Sequence, residues 1–582
     1  MFLFSFQARQ STPAIVIKVL CIYTVSMISF CCWASDNGAQ ESLQLQVSAG
    51  ECTSFNVDPL DIAKKKSSRV EASAFEPLEG KTIHAIRFQQ MTIFDANNPD
   101  ENNKLYLFLN KLHVKTRAKV VASQVLFKVG DKVNHKVIDE TARNLRGRKY
   151  LTNAFVLPEK VCGDDVDVVV ITQDAWAIEP QVSFSHKSSD NQTGFALSDA
   201  NVFGTGNSFK VGYERTQLRN TISYEFSNPY FLNRQLSVRA LYEDTSDGRN
   251  TFFSVERPFY ALDTPWGSGL QFSNLSQVEQ IRSHGEKINA FRHQAIDNEI
   301  YYGMATDINS NFTQRWLVGI THEEDSFSPD VATLQPIPER DKAVYPWVEY
   351  QYLQNKYGVF KNLNQIQRPE DVAVGQTVKI RLGMAGTAFG NPDDVVRYKA
   401  EYTNIIDFSE AHLLEFETEL DGRQHLKYQS LDPTLFKSAV AYHYLQDEKN
   451  RWYGRLEYDL GDNLPQYKEL TVGDITGLRG YPTDYLRGDR RYVFTLERRY
   501  FSDIHIFNLL RVGGVAFFDV GKAWGLPNEP KSPLLSDVGI GLRLSSTKIR
   551  IGNIIHVDLA MPTTARDGIS KYQLTIGAFQ KF

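Results

Sequence analysis

Long apolar runs are missing after residue 34, and mean hydropathy is −0.35. A helical membrane bundle, which needs about 20 consecutive apolar residues per span, is therefore excluded. An excess of one charge sign is missing too. Lys+Arg number 64 against 69 Asp+Glu, a formal net charge of −5, which disfavours a nucleic-acid partner held on a basic patch. Cysteine is scarce: Cys21, Cys31 and Cys32 fall early, leaving Cys52 and Cys162 downstream. No H-E-x-x-H, nucleophile elbow or Walker loop occurs, so the chain is not read as an enzyme, and no cofactor or metal is expected. These absences leave one membrane architecture open. In a β-barrel, lipid-facing residues alternate with polar ones and hydropathy averages stay unremarkable. Aromatics at 12%, with 36 Phe and 27 Tyr beside 6 Met, favour β-structure.

Residues 1–34 read as an export signal: Arg9 and Lys18 precede the uncharged stretch Val19–Phe30, and Cys32-Trp33-Ala34 offers a cleavage site. Export to an oxidising compartment suggests a bridge between Cys52 and Cys162, with two unpaired thiols as the alternative. Residues 35–77 are polar and read as an arm or linker. Residues 78–178 read as a small α+β unit. Thr82–Phe88 alternates as a strand, Asn103–Leu112 and Asn134–Leu145 carry helical periodicity, and Ala154–Leu157 and Val166–Thr172 are strands joined by a turn at Gly163-Asp164.

The order β-α-α-β-β, with Val129-Gly130-Asp131 before the second helix, Leu145-Arg146 near its end and Tyr150-Leu151 after it, resembles a POTRA domain. Such domains stand in the periplasm in front of outer-membrane barrels of the BamA/TamA superfamily, also called the bacterial surface antigen family, in Gram-negative bacteria.

Beyond Pro180 strand follows strand, each with one oily and one polar face. Val378, Ile380, Leu382 and Met384 oppose Lys379, Arg381 and Gly383; Trp452, Leu456, Tyr458 and Leu460 oppose Arg455, Glu457 and Asp459. A soluble sandwich shows the same alternation. The recurrence of segments, the export signal, and short turns such as Asp421-Gly422 beside long polar stretches such as Glu323–Asp341 favour lipid outside. At roughly 25 residues per strand and connection, residues 179–582 form a transmembrane β-barrel of about 16 antiparallel strands. The chain's end, with Tyr572, Leu574, Ile576 and Ala578 on one face and Phe582 last, resembles the closing strand read by barrel-assembly machinery; Gln580 departs from that pattern.

Gly477-Leu478-Arg479-Gly480-Tyr481 resembles the superfamily's signature loop, whose arginine enters the barrel lumen. A guanidinium enclosed there needs a carboxylate in bidentate geometry. Parity along Val512–Gly521 turns Asp519 and Gly521 inward, and Phe518-Asp519-Val520-Gly521 resembles the strand motif that receives the loop arginine; Glu497 is a second inward acceptor. Asp199–Gly206 is glycine-containing but precedes no helix, so it is not a dinucleotide loop and instead resembles the superfamily's first barrel hairpin, and Asp244–Gly248 reads as a hairpin connection rather than a calcium loop.

The resemblance implies an outer-membrane protein that receives client polypeptides through its POTRA-like domain and inserts or passes them via the barrel. A passive or partner-specific pore, resembling a two-partner-secretion transporter, is the alternative. Its partners would be the bilayer, unfolded or barrel-forming clients and, left open, a periplasmic or lipoprotein partner. A client strand would add to a sheet edge within residues 154–172, and the barrel would open between Gln181–Lys187 and Tyr572–Phe582, where Gly577 weakens the pairing.

Overall fold

The computed structural model describes residues 52–55 and 74–579, apart from 95–98, 100, 188–189, 310, 410, 428–431, 527–531, 550–553 and 565–568. The expected export signal and Phe582 lie outside the described residues.

The small unit builds on a four-stranded sheet in the order β1-β3-β4-β2, from β1 (Cys52–Ser54), β2 (Thr82–Met91), β3 (Leu151–Cys162) and β4 (Asp165–Asp174). Helices α1 (Lys104–Leu112), α2 (Ala118–Ala122) and α3 (His135–Arg146) complete it. Asn103 and Asn134 cap α1 and α3 by accepting backbone N–H groups through their side chains. Ile138, Ala142 and Leu145 of α3 recur at helical spacing and are buried with Val156, Val166, Val168 and Val170 of the sheet. β1 falls in the stretch expected to be a polar arm. It pairs with the end of β3 in the register Cys52↔Cys162, where the two cysteines form a disulfide with Cα atoms 4.3 Å apart.

β4 runs through Ala175 into the first barrel strand, β5 (Ile178–Lys187). The barrel is closed, antiparallel and built of 20 strands, not about 16. The estimate fell short because strands near the small unit come close together: five of them fit between Ile178 and Thr245. Elsewhere length goes into longer strands. Trp266–Ser283 and Glu286–Ile308 contain 18 and 23 residues. The start of the expected loop Glu323–Asp341 is likewise taken up by the strand that ends at Pro329, which leaves residues 330–340 as the connection, and Asp421-Gly422 lies inside the strand His412–His425 rather than in a turn.

Alternation sorts the barrel wall as expected. Ile380, Leu382 and Met384 are exposed on the outside. Arg381, between them, points inward, donates to Glu349 and Glu299 at 2.7 Å each, and lies 3.7 Å over the Trp347 ring. Among the described residues no helix is long and apolar enough to cross a membrane.

Candidate functional site: a loop pinned inside the barrel

The connection 463–489 starts at the barrel end opposite the small unit, termed here the far end. It carries the short ribbon Leu470–Val472 with Leu486–Gly488 and then turns into the lumen. Gly477 adopts φ +103°, a conformation side chains disfavour, and turns the chain so that Leu478 and Tyr481 pack, fully buried, with Val472, Tyr485 and Leu486. Arg479 is thereby aimed at the inner wall. Its Nε and Nη2 donate to the two oxygens of Asp519 at 2.8 and 2.9 Å, its Nη1 donates to Glu497 at 2.8 Å, and its guanidinium lies 3.6 Å over the Phe517 ring. Glu497 also accepts from Arg499 Nε at 2.7 Å. Gly521 follows on the same inward face as Asp519, opposite Val493.

Sequence reasoning missed Asp537, whose Oδ2 accepts the Gly480 N–H at 3.0 Å. Asp537 stands directly opposite Asp519 in strand register, and strand parity in Leu535–Ser546 was the available signal. Beside this cluster Arg543 donates to both oxygens of Asp558. An enclosed guanidinium gains from such pairing because its desolvation is offset only when several donors find acceptors.

A cavity of about 870 Å³ joins this cluster to the place where the barrel closes. Arg479, Glu497 and Arg543 line one side, Gln181–Ser185 and Thr575–Phe579 the other. Among the described residues the closure is short: the last strand, Gln573–Phe579, meets β5 through Leu574↔His186, Thr575↔Ser185 and Ile576↔Phe184, while its other edge pairs from Ile554↔Phe579 to Ala560↔Gln573. Gly577 lies one residue beyond the last seam pair, and Tyr572 just precedes the strand.

The lumen is also entered from the small unit's end, the near end. Tyr357–Lys361 and Pro369–Ala373 form a hairpin whose tip reaches the inner wall. Ile366 is buried with Phe501, Val515 and Phe517, the ring that Arg479 covers. Glu370 accepts the N–H groups of Leu363, Asn364 and Gln365, and Arg499 donates to Leu363 O at 3.3 Å. Toward the small unit, Asp371 takes two hydrogen bonds from Arg146, and Arg368 donates to Thr152 O.

The segment Asp199–Gly206 is the second connection of the barrel, not the first, and the first at the near end. It docks on the small unit: Arg117 N–H donates to Gly204 O at 2.9 Å and Asn201 Nδ2 to Thr116 Oγ1 at 2.8 Å. The connection expected at Asp244–Gly248 joins two paired strands, Ser237–Thr245 and Gly248–Arg257.

A closed membrane β-barrel with a far-end loop pinned to its inner wall is the class that fold and site define. The chain matches the Omp85 superfamily domain over residues 201–581 and belongs to that superfamily, which places it in the outer membrane. It is 22% identical over 275 residues to the outer membrane protein assembly factor BamA of Buchnera aphidicola, covering 44% of this chain and 43% of that protein, so the chain spans less than half the length of this relative. Among solved structures it is similar to CdiB from Acinetobacter baumannii, with TM-score 0.44, 11% identity and 99% and 100% of the two chains covered. It is also similar to BamA from Haemophilus ducreyi lacking POTRA domains 1–3, with TM-score 0.35, 13% identity and 85% and 84% covered.

Proposed function

We propose that this protein is an outer-membrane assembly and translocation factor. It receives client polypeptides on its small, POTRA-like unit in the periplasm and inserts them into the membrane, or passes them onward, through the barrel. The observation that carries this reading is the seam. Among the described residues three pairs close the barrel, and a cavity lined by the Arg479 cluster lies directly behind them. An unpaired strand edge is a template for another strand, so a seam that opens offers clients backbone hydrogen bonds at the lipid boundary.

The receiving edge differs from the expected one. β4 is internal to its sheet, and β3 is covered at its end by β1, with its Thr152 and Ala154 carbonyls accepting from Arg368 and Arg146. Among the described residues the remaining sheet edge is β2, which is bridged at its start through Thr82↔Lys132, and a client strand would add to the part beyond Ile83. Both the pinned loop and the near-end hairpin occupy the lumen, which favours assembly over a passive, permanently open pore.

The test locks the seam. Ser185 and Thr575 face each other in register, and the S185C/T575C pair would bridge them on oxidation. In vesicles, the oxidised variant is expected to lose its acceleration of an unfolded barrel client's insertion and to regain it on reduction, with reduced wild type controlling for the Cys52–Cys162 bridge. A locked barrel that assists as well as wild type refutes the reading, and unchanged conductance alongside would favour the partner-specific pore.

A further inference from the structure

The strands following β5 are short: Asp190–Asp199, Ser208–Arg215, Asn220–Asn228 and Ser237–Thr245 contain 8 to 10 residues. A tilted membrane strand needs about 9–11, so the turns ending these strands lie at the leaflet boundary. At the near end those turns present large apolar side chains outward. Phe203 is 72% and Leu232 69% exposed, and both occupy positive φ, which bulky residues avoid. Phe507, in the near-end turn before Leu510–Trp524, is 80% exposed with φ +49°.

Helix α1 continues this apolar rim. Tyr106 and Leu109 pack inward with Phe94 and Trp176, and Tyr106 Oη donates to Phe507 O. The outward stripe is Lys104, Phe108, Lys111 and Leu112, at spacings i, i+4, i+7 and i+8, with Phe108 and Leu112 more than half exposed. Val114, also exposed, adjoins the Lys115–Gly204 contact that brings the Phe203 turn alongside. Charge separates this segment from the rest of the chain. Residues 104–130 hold six cations and no carboxylate, although the whole sequence is net negative. A helix with apolar residues flanked by lysines on one face suits an anionic lipid surface.

We propose that the outward face of α1, with the turns at Phe203 and Phe507, docks into the lipid leaflet on the small unit's side. Phe108 and Leu112 enter the acyl boundary, and Lys104 and Lys111 meet phospholipid phosphates. The small unit would then be held against the bilayer beside the seam rather than swinging free. Continuity with the barrel's lipid-facing wall and the local positive charge both select lipid over a protein partner.

The test places nitroxide labels, one at a time, at Phe108, Leu112 and Phe203 of the full chain in vesicles of phosphatidylethanolamine and phosphatidylglycerol, with Asp164 as control. Asp164 sits at the opposite end of β4 from the barrel, with its side chain 96% exposed. Oxygen collisions are expected to exceed nickel-chelate collisions at 108, 112 and 203 and to fall below them at 164. In vesicles of phosphatidylcholine alone, or with K104E/K111E, the oxygen excess at 108 and 112 should shrink. Nickel-chelate access at 108 and 112 matching that at 164 overturns the proposal and leaves the face to water or to a protein. An oxygen excess indifferent to lipid charge overturns the role of the lysines.

Discussion

Arg479 distributes its donors over two carboxylates and its face over a ring, so its substitutions should separate charge from geometry. Arg479→Glu leaves Asp519 and Glu497, both buried, facing a third carboxylate. Breaking an enclosed pair costs about 3–5 kcal/mol. Arg479→Lys keeps the charge but loses the fork and should be milder. Unfolding in urea from detergent, followed by gel mobility of the folded barrel, checks the order: Glu worst, Lys intermediate. Gly480 tests the loop's approach rather than its charge. A Cβ there would stand 2.6 Å from Asp537 Cβ, on a strand that cannot yield easily, so Gly480→Ala should cost about 1–3 kcal/mol in the same assay. Asp519 and Glu497 were legible in the sequence because strand parity is strict and inward residues stay inward along a whole strand, whereas Arg479, in a loop, was legible through the resemblance of Gly477–Tyr481 to a signature motif. Asp537 was not, because its partner is a backbone N–H, which leaves no second charge to match.

The elements joining the small unit to the barrel hold a buried carboxyl that should make the junction sensitive to pH. Glu140 of α3 accepts the Leu262 N–H at 2.9 Å, at a near-end connection of the barrel. Burial pushes its carboxyl above the usual 4.5, and the Leu262 hydrogen bond only partly opposes that. A carboxyl raised in the folded state favours folding most at low pH, where it is protonated in both states. That advantage declines as pH rises from 4.5 through the raised value. Glu140→Gln, which never ionises, should therefore flatten the fall in thermal stability between pH 4.5 and 7 and match wild type best at the acid end. Thermal unfolding of both proteins across that range decides it; parallel curves would remove Glu140 from the junction. At this scale α1 and α3 were readable, since Asn103 and Asn134 precede clear apolar stripes, whereas the five-residue α2, too short to show a period, and strand number were not. Period-two alternation marks a strand but not its length, and five compact strands in residues 178–245 look much like three longer ones. β1 escaped notice because three residues carry no period; only its cysteine pointed to it.

Across the whole molecule, one chain of contacts links the small unit to the pinned loop. Arg146 of α3 holds Asp371; the hairpin carries Ile366 against Phe517; Phe517 lies under Arg479; and Arg479 is fixed to Asp519 on the barrel wall. The hairpin 357–373 came from no sequence signal, because Tyr357–Lys361 and Pro369–Ala373 have five residues each and read as a loop between barrel strands. Its tip packs on the inner wall, where it would act as a plug. Leu363 and Ile366 are buried against the wall, and Arg451 and Arg499 grip the tip through Lys361 O and Leu363 O. Replacing the hairpin with a short glycine-serine link should raise single-channel conductance in planar bilayers. Asp371→Arg, which sets like charge against Arg146, should produce brief openings of the same size rather than a permanent one, because the contacts of the tip remain. Equal conductance in all three proteins would mean that the pinned loop alone closes the lumen. Openings with Asp371→Arg alone would mean that the small unit, through Arg146, governs access to the cavity behind the seam.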